Sequence, residues 1–325
     1  ARAPRGGAMK GLGRVFGAVL PVLGVIFAGG VFRRLQWLTE EADRSLVKLV
    51  VNVLTPCLIL DSILGNPAFA RLDNVLLPPL LGFATTAAGV GLGWLCRRTT
   101  GEVAGVGRLR TFAFAVGVCN YGYVPLPLAQ TLFDPGTVGV LFVTNMGVEI
   151  AMWWLGLSLL RGGRPAAVWK NLLNPPVIAI ALSLALNALV PREQAPRAVL
   201  QGVHMLGVCA IPLGLVLVGA TVADLLPGFD ARRHWRVIGA ACLVRLGLCP
   251  LMYLALVWLL PLSPELKRVL VLHGAMPAAV FPIIMARHYG GDSATALRVV
   301  IGTSVAGIVT IPLWIGAGLW LLERG

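Results

Sequence analysis

Long apolar runs separated by short polar stretches dominate the chain. No Asp, Glu, Lys or Arg lies between Arg14 and Arg33, Asp73 and Arg97, Arg110 and Asp134, Lys170 and Arg192, Arg197 and Asp224, Arg245 and Glu265, Arg268 and Arg287, or Arg298 and Glu323. A helix needs about 20 residues, at roughly 1.5 Å rise each, to cross the hydrocarbon layer of a bilayer. Two further runs, 44–64 and 136–160, are each interrupted by one acid, Asp61 and Glu149. The pattern predicts ten helices, over 15–35, 44–64, 74–95, 110–133, 136–160, 173–190, 198–224, 235–260, 266–289 and 294–321. The runs lack the period-two alternation of a β-barrel, so helices are expected rather than strands.

Composition strengthens this reading. The 325 residues are 57% hydrophobic and 13% charged, against about 25% charged in soluble domains. A soluble enzyme, a disordered chain and a collagen-like chain are excluded, and an all-α polytopic membrane protein without a separate soluble domain is expected. The net charge of +13 is explained by loops that follow the positive-inside rule, not by nucleic-acid binding. Ten spans divide the basic residues sixteen against ten, with Arg245 inside a span. The richer side includes loops 96–109 and 161–172 and is expected to be cytoplasmic, with both termini outside, in the cell (inner) membrane. The first apolar run, ending at Arg33-Arg34, reads as an anchored span rather than a cleaved signal. The six cysteines lie in or at the ends of apolar runs without a CxxC, so buried thiols are expected. Trp94, Trp153, Trp154, Trp258 and Trp320 fall at expected membrane interfaces. There is no P-loop, GxSxG or HExxH motif. Neither catalysis, a metal nor a cofactor is expected.

The basic connector 161–172 splits the helices five and five. An odd unit that is duplicated inserts the second time upside down, as in secondary transporters. Pro125, Ala129, Phe133 and Asp134 are echoed by Pro282, Ala286, Tyr289 and Asp292, and Pro56 by Pro212. Spans four and nine are expected to break, because Gly122 with Pro125 and Pro127, and Gly274 with Pro277 and Pro282, fall mid-span. Proline removes a donor and clashes with the preceding turn. Unwound backbone survives in a bilayer only where it is buried or lines a cavity. Paired breaks in inverted halves therefore point to a substrate site. Its candidate residues are Asn120, Tyr121, Gly122 and Pro125 from one half, and His273, Met276, Pro277 and Ala278 from the other, with Pro125, Pro277 and Pro282 as the crossover prolines.

Other polar residues fall at similar depth. Asn120 either binds an anionic substrate or caps a half-helix. Half-helix N-termini can themselves hold an anion. Thr144, Asn145 and Glu149 in span five, and Thr303 and Ser304 in span ten, are candidates for a Na+ or H+ site. Glu149 alternatively pairs with Arg245 in a switching pair, and Arg245 alternatively attracts the anion. His273 is either polar lining or a satisfied buried imidazole. Asp61 is read as an interfacial carboxylate and His204 as structural.

At these residues the chain resembles the auxin efflux carrier family, which holds PIN-type exporters and bacterial permeases within the bile acid/arsenite/riboflavin transporter group. The resemblance rests on Asn52-Val53-Leu54-Thr55-Pro56, on Asn120-Tyr121-Gly122-Tyr123-Val124-Pro125-Leu126-Pro127, on Asn174-Pro175-Pro176, and on Met276-Pro277-Ala278 with Ala286-Arg287-His288-Tyr289-Gly290. It implies a scaffold domain, 15–64 with 173–224, and a transport domain, 74–160 with 235–321. It also implies elevator-type alternating access and a homodimer. The long central loop of the plant exporters has no counterpart here. The leading expectation is a secondary transporter of a small organic anion. A sodium-coupled symporter of the bile-acid type is the rival. A channel has less to support it: Asn66-Pro67-Ala68 is similar to a water-channel signature but stands alone in a loop.

Overall fold

The computed structural model describes residues 5–101, 105–161, 173–189 and 196–324, with backbone alone for 5–12. Most of the basic connector 161–172, residues 190–195 and residues 102–104 lie outside the described residues. Secondary structure among the described residues is helical apart from one isolated antiparallel bridge. We number the rods α1 (Arg5–Arg34), α2 (Glu40–Ile63), α3 (Asp73–Thr100), α4 (Val106–Gly117), α5 (Pro125–Leu132), α6 (Pro135–Leu160), α7 (Pro175–Leu189), α8 (Arg197–Leu225), α9 (Trp235–Leu259), α10 (Pro264–Ala275), α11 (Phe281–Tyr289) and α12 (Ser293–Leu322).

Among the described residues, seven rods are long and apolar enough to cross a membrane: α1, α2, α3, α6, α8, α9 and α12. The sixth expected span is shorter than foreseen, with α7 covering 15 residues. The fourth and ninth, 110–133 and 266–289, break as expected, each into two short helices, α4 with α5 and α10 with α11. Start signals explain most boundaries. Thr39, Asp134, Ser263 and Asp292 each accept a backbone N–H of the following first turn. Proline occupies the first turn of α5, α6, α10 and α11, where its missing N–H costs nothing.

Three rods carry a π-helical turn, at Val50–Leu54, Met152–Gly156 and Val244–Leu248. Two stand just before a proline, Pro56 and Pro250. Pro250 has no N–H for the carbonyl of Leu246, and the indole Nε1–H of Trp314 donates to that carbonyl instead, at 2.7 Å.

Packing falls into two groups. α1 lies along α8, and α2 against α7 and α8. α3 lies along α4 and α6, and α9 along α10 and α12. Two pairs approach so closely that only glycine fits. A Cβ at Gly147 of α6 would collide with the Pro79 carbonyl of α3, and one at Gly219 of α8 with the Ile26 carbonyl of α1.

Charged pairs sit at the helix ends. Arg33 meets Asp43 and Asp224, Arg108 meets Asp292 at 2.9 Å, and Arg268 meets Asp134. Asp61 lies 2.8 Å from His204 Nδ1, which ties α2 to α8. Trp94 and Trp320 carry Arg97 and Arg324 over their rings, as interfacial aromatics do. Trp153 has an aromatic partner instead of a cation. Its ring packs edge-on to Phe281, the first residue of α11, at 5.5 Å.

Candidate functional site

The two helix breaks meet. α4 stops at Gly117 and α10 at Ala275, and the extended segments that follow run antiparallel past each other. The N–H of Asn120 donates to Pro277 O at 2.8 Å, and that of Ala279 to Val118 O at 3.0 Å. Local sequence explains why strand-like bonds replace helical ones here. Pro277 can donate nothing to α10 but can accept across the gap. Prolines 125 and 282 then restart the helices with φ already set. The positive ends of α5 and α11 thus begin at the crossing.

Side chains from α6 and α12 hold the crossing from outside. Asn145 Nδ2 donates to Tyr121 O at 2.9 Å, and its buried Oδ1 has no partner among the described residues. The Thr303 hydroxyl accepts from Ala278 N at 3.1 Å and donates to Val299 O at 2.8 Å. Each of these two residues thus ties a long rod to one of the two extended segments. Thr144 differs, because its hydroxyl turns back to Val140 O. Ser304 is half-buried beside Thr303.

The side chain of Asn120 is half-buried and makes no hydrogen bond to the described residues. A Cβ at Gly122 would meet nothing within 4 Å. Open space therefore adjoins the backbone at Gly122, two residues beyond Asn120. Tyr121, Trp153 and Phe281, all partly exposed, pack on the core cluster that includes Val118 and Ala279. The Tyr123 ring fills the place a Cβ on Gly214 of α8 would need.

Arg245, fully buried, reaches the crossing from the π-turn of α9. Its Nε donates to Met276 O and its Nη2 to His273 O, each at 3.0 Å, with the Tyr253 ring 5.9 Å away. The His273 carbonyl also accepts the Met276 N–H at 3.3 Å, so the guanidinium and the backbone share it at the end of α10. Glu149, half-buried, accepts from Asn174 Nδ2 at 2.6 Å. The expected Glu149–Arg245 pair is therefore absent from this structure. Arg245 faces the end of α10, whereas Glu149 faces the start of α7. His273 is fully buried, and neither ring nitrogen has a partner among the described residues. The satisfied imidazole considered for it is not what the structure shows.

Sequence reasoning missed Trp153 and Phe281 as neighbours of the crossing, and Asn174 as the partner of Glu149. The last was legible in part, since Asn-Pro-Pro announces a helix start. Asn174 Oδ1 does cap α7, accepting from Val177 N at 3.0 Å. Asn66, the residue of the water-channel-like triplet, caps the short turn Pro67–Ala70 and donates to Pro135 O. Among the described residues, no group of three His, Cys, Asp or Glu could hold a metal ion.

Comparison with known proteins places the chain among membrane transporters. The family described as membrane transport protein matches residues 14–168 and 159–315. An uncharacterized transporter of Methanothermobacter thermautotrophicus is 26% identical over 303 residues, covering 91% of this chain and 96% of that protein.

Proposed function

Since the chain belongs to the membrane transport protein family, that of the auxin efflux carriers, we propose that it is a secondary active transporter of a small organic anion, a carboxylate, bound at the crossing of the broken helices. The observation that carries this reading is the crossing itself. A free amide on Asn120, the positive ends of two half-helices and open space at Gly122 converge where two backbones interrupt each other. Arg245 adds a buried positive charge whose protein partners are neutral carbonyls.

The inverted repeat is supported by corresponding contacts. α3 packs on α4 and α6 as α9 packs on α10 and α12, and α4 meets α12 as α10 meets α6. Ten spans follow when each broken pair counts as one crossing and α7 as another. The two packing groups correspond to a scaffold (15–64, 173–224) and a transport domain (74–160, 235–321) that slides against it as an elevator. In this reading the protein is a homodimer in the cell membrane with both termini outside. Substrate movement is coupled to H+ or Na+ through Asn145, Glu149, Thr303 and their neighbours.

Reconstitution tests this. Proteoliposomes should accumulate radiolabelled mono- or dicarboxylates under a Na+ gradient, a pH gradient or a membrane potential. Asn120→Ala should lower apparent affinity about tenfold or more, the loss expected for one hydrogen bond to a charged group. Gly122→Val should fill the open space and block uptake. Wild-type transport by both variants would place the substrate elsewhere.

A further inference from the structure

At one end of the bundle, where α9 finishes, α10 begins and α12 ends, lies a cleft of about 350 Å³. Ligand pockets start at about this size. Its walls are divided by chemistry. Trp258, Leu262, Leu321 and Leu322 form an apolar side, and Lys267 and Arg268 project from the second turn of α10. The two cations are not equivalent. Arg268 is engaged by the carboxylate of Asp134 and lies 5.6 Å from the Phe133 ring. Lys267 is half-buried and has no ion pair or hydrogen bond to any described residue. The acids near it do not neutralise it. Glu265 stands 3.5 Å from Asn74 Nδ2, and Glu323 is exposed beyond Leu322, followed by Arg324 over Trp320.

A half-buried ammonium beside apolar walls favours an anion that also carries hydrocarbon. The surroundings identify which kind. Trp258 is 71% exposed and Leu259 65% exposed, and both continue the apolar wall onto the outer surface of the bundle. Trp258 and the Trp320–Arg324 stack mark the level at which headgroups meet acyl chains. A soluble phosphate or carboxylate would use Lys267 but would leave the Trp258–Leu321–Leu322 side dry and unfilled.

We propose that this cleft binds an anionic phospholipid, with its phosphodiester on Lys267 and an acyl chain along Trp258 and Leu322. The site is remote from the crossing and takes a molecule that is not the transported one. It ties α9, α10 and α12 to the surrounding leaflet.

The test uses the purified, delipidated protein in a neutral detergent. Binding of dioleoylphosphatidylglycerol and dioleoylphosphatidylcholine is measured by native mass spectrometry and by the rise in melting temperature. Wild type should bind the anionic lipid about fivefold more tightly, the ratio that about 1 kcal/mol per basic residue corresponds to. Lys267→Met keeps the apolar stem and should bring the ratio to about one, with the melting temperature in plain detergent unchanged. Leu321→Trp, on the opposite wall, should fill the cleft and lose the anionic preference with Lys267 intact. Inorganic phosphate at millimolar concentration should neither stabilise wild type nor compete. Equal binding of the two lipids, a preference that survives both substitutions, or Lys267-dependent stabilisation by inorganic phosphate would each overturn the proposal. None of these outcomes bears on Asn120 and the transport assay.

Discussion

A single guanidinium does two jobs at the centre of this protein. Arg245 braces the end of α10 by donating to the carbonyls of His273 and Met276, and it places a positive charge beside the crossing. In the proposed reading, a buried cation whose partners are carbonyls rather than a carboxylate would keep its charge unneutralised for an arriving anion. Charge at the surface follows a different rule. Burial pushes the Asp134 carboxyl up, but the Thr137 N–H and the Arg268 guanidinium outweigh it and hold the group below its ordinary value. The sign of the pH effect follows. A carboxylate with a lowered folded value adds stability that is present above about pH 4 and is lost as the pH falls through the lowered value. Melting temperature measured from neutral to acid pH should therefore drop on the acid side in wild type, and less steeply in Asp134→Asn. Equal slopes would mean that the Asp134–Arg268 pair contributes nothing to folding.

At the level of elements, interruption is the main device. Where the interruptions are chemical they were readable. Gly and Pro near 122, 125, 277 and 282 announced both breaks, and the start signals at Asp134, Ser263 and Asp292 sit where charge first interrupts an apolar run. The π-turn in α9 was not readable, because its repair comes from another helix. Trp314 supplies the N–H that Pro250 lacks. Trp314→Phe should leave the Leu246 carbonyl unsatisfied and cost about 1–3 kcal/mol. Pro250→Ala, which returns a local donor, should recover part of that loss, so a double-mutant cycle by denaturant unfolding should be non-additive. Additive losses would show that the indole is only packing. The same limit explains the misplaced Glu149–Arg245 pair. Hydropathy gives depth along a helix, but a rod that is apolar on nearly every side does not reveal which way its one polar residue turns. Depth matched for Glu149 and Arg245, while azimuth did not. The packing of Trp153 on Phe281 was hidden for a related reason, because a tryptophan can end a span or pack on a break within it.

For the whole molecule, orientation is the property to measure. Single cysteines in 97–108 and 161–170 should react with impermeant maleimide only from the cytoplasmic side, and those in 191–197 only from outside. Reaction of both sets from one side would remove the inverted arrangement. The two packing groups touch along α1 with α5 and α12, and along α6 with α2 and α7. These surfaces are mostly apolar, which suits the sliding proposed above. The Glu149–Asn174 bond is the exception, because it joins α6 to the capped start of α7.

In the elevator reading proposed above, that bond would act as a detent. Any travel of α6 past α7 must first lift Glu149 out of the notch that Asn174 offers, and the depth of the notch depends on a single proton. A hydrogen bond to an ionised carboxylate is worth about 1.5–3 kcal/mol, and one to a neutral acid about 0.5–1.5. One proton landing on Glu149 would therefore ease release by about tenfold. Glu149→Gln should fix the shallow setting permanently, and its uptake rate should no longer respond to pH while wild type's does. Asn174→Ala should remove the notch at any pH, and a pH response that survives in Asn174→Ala would assign the gating to another pair.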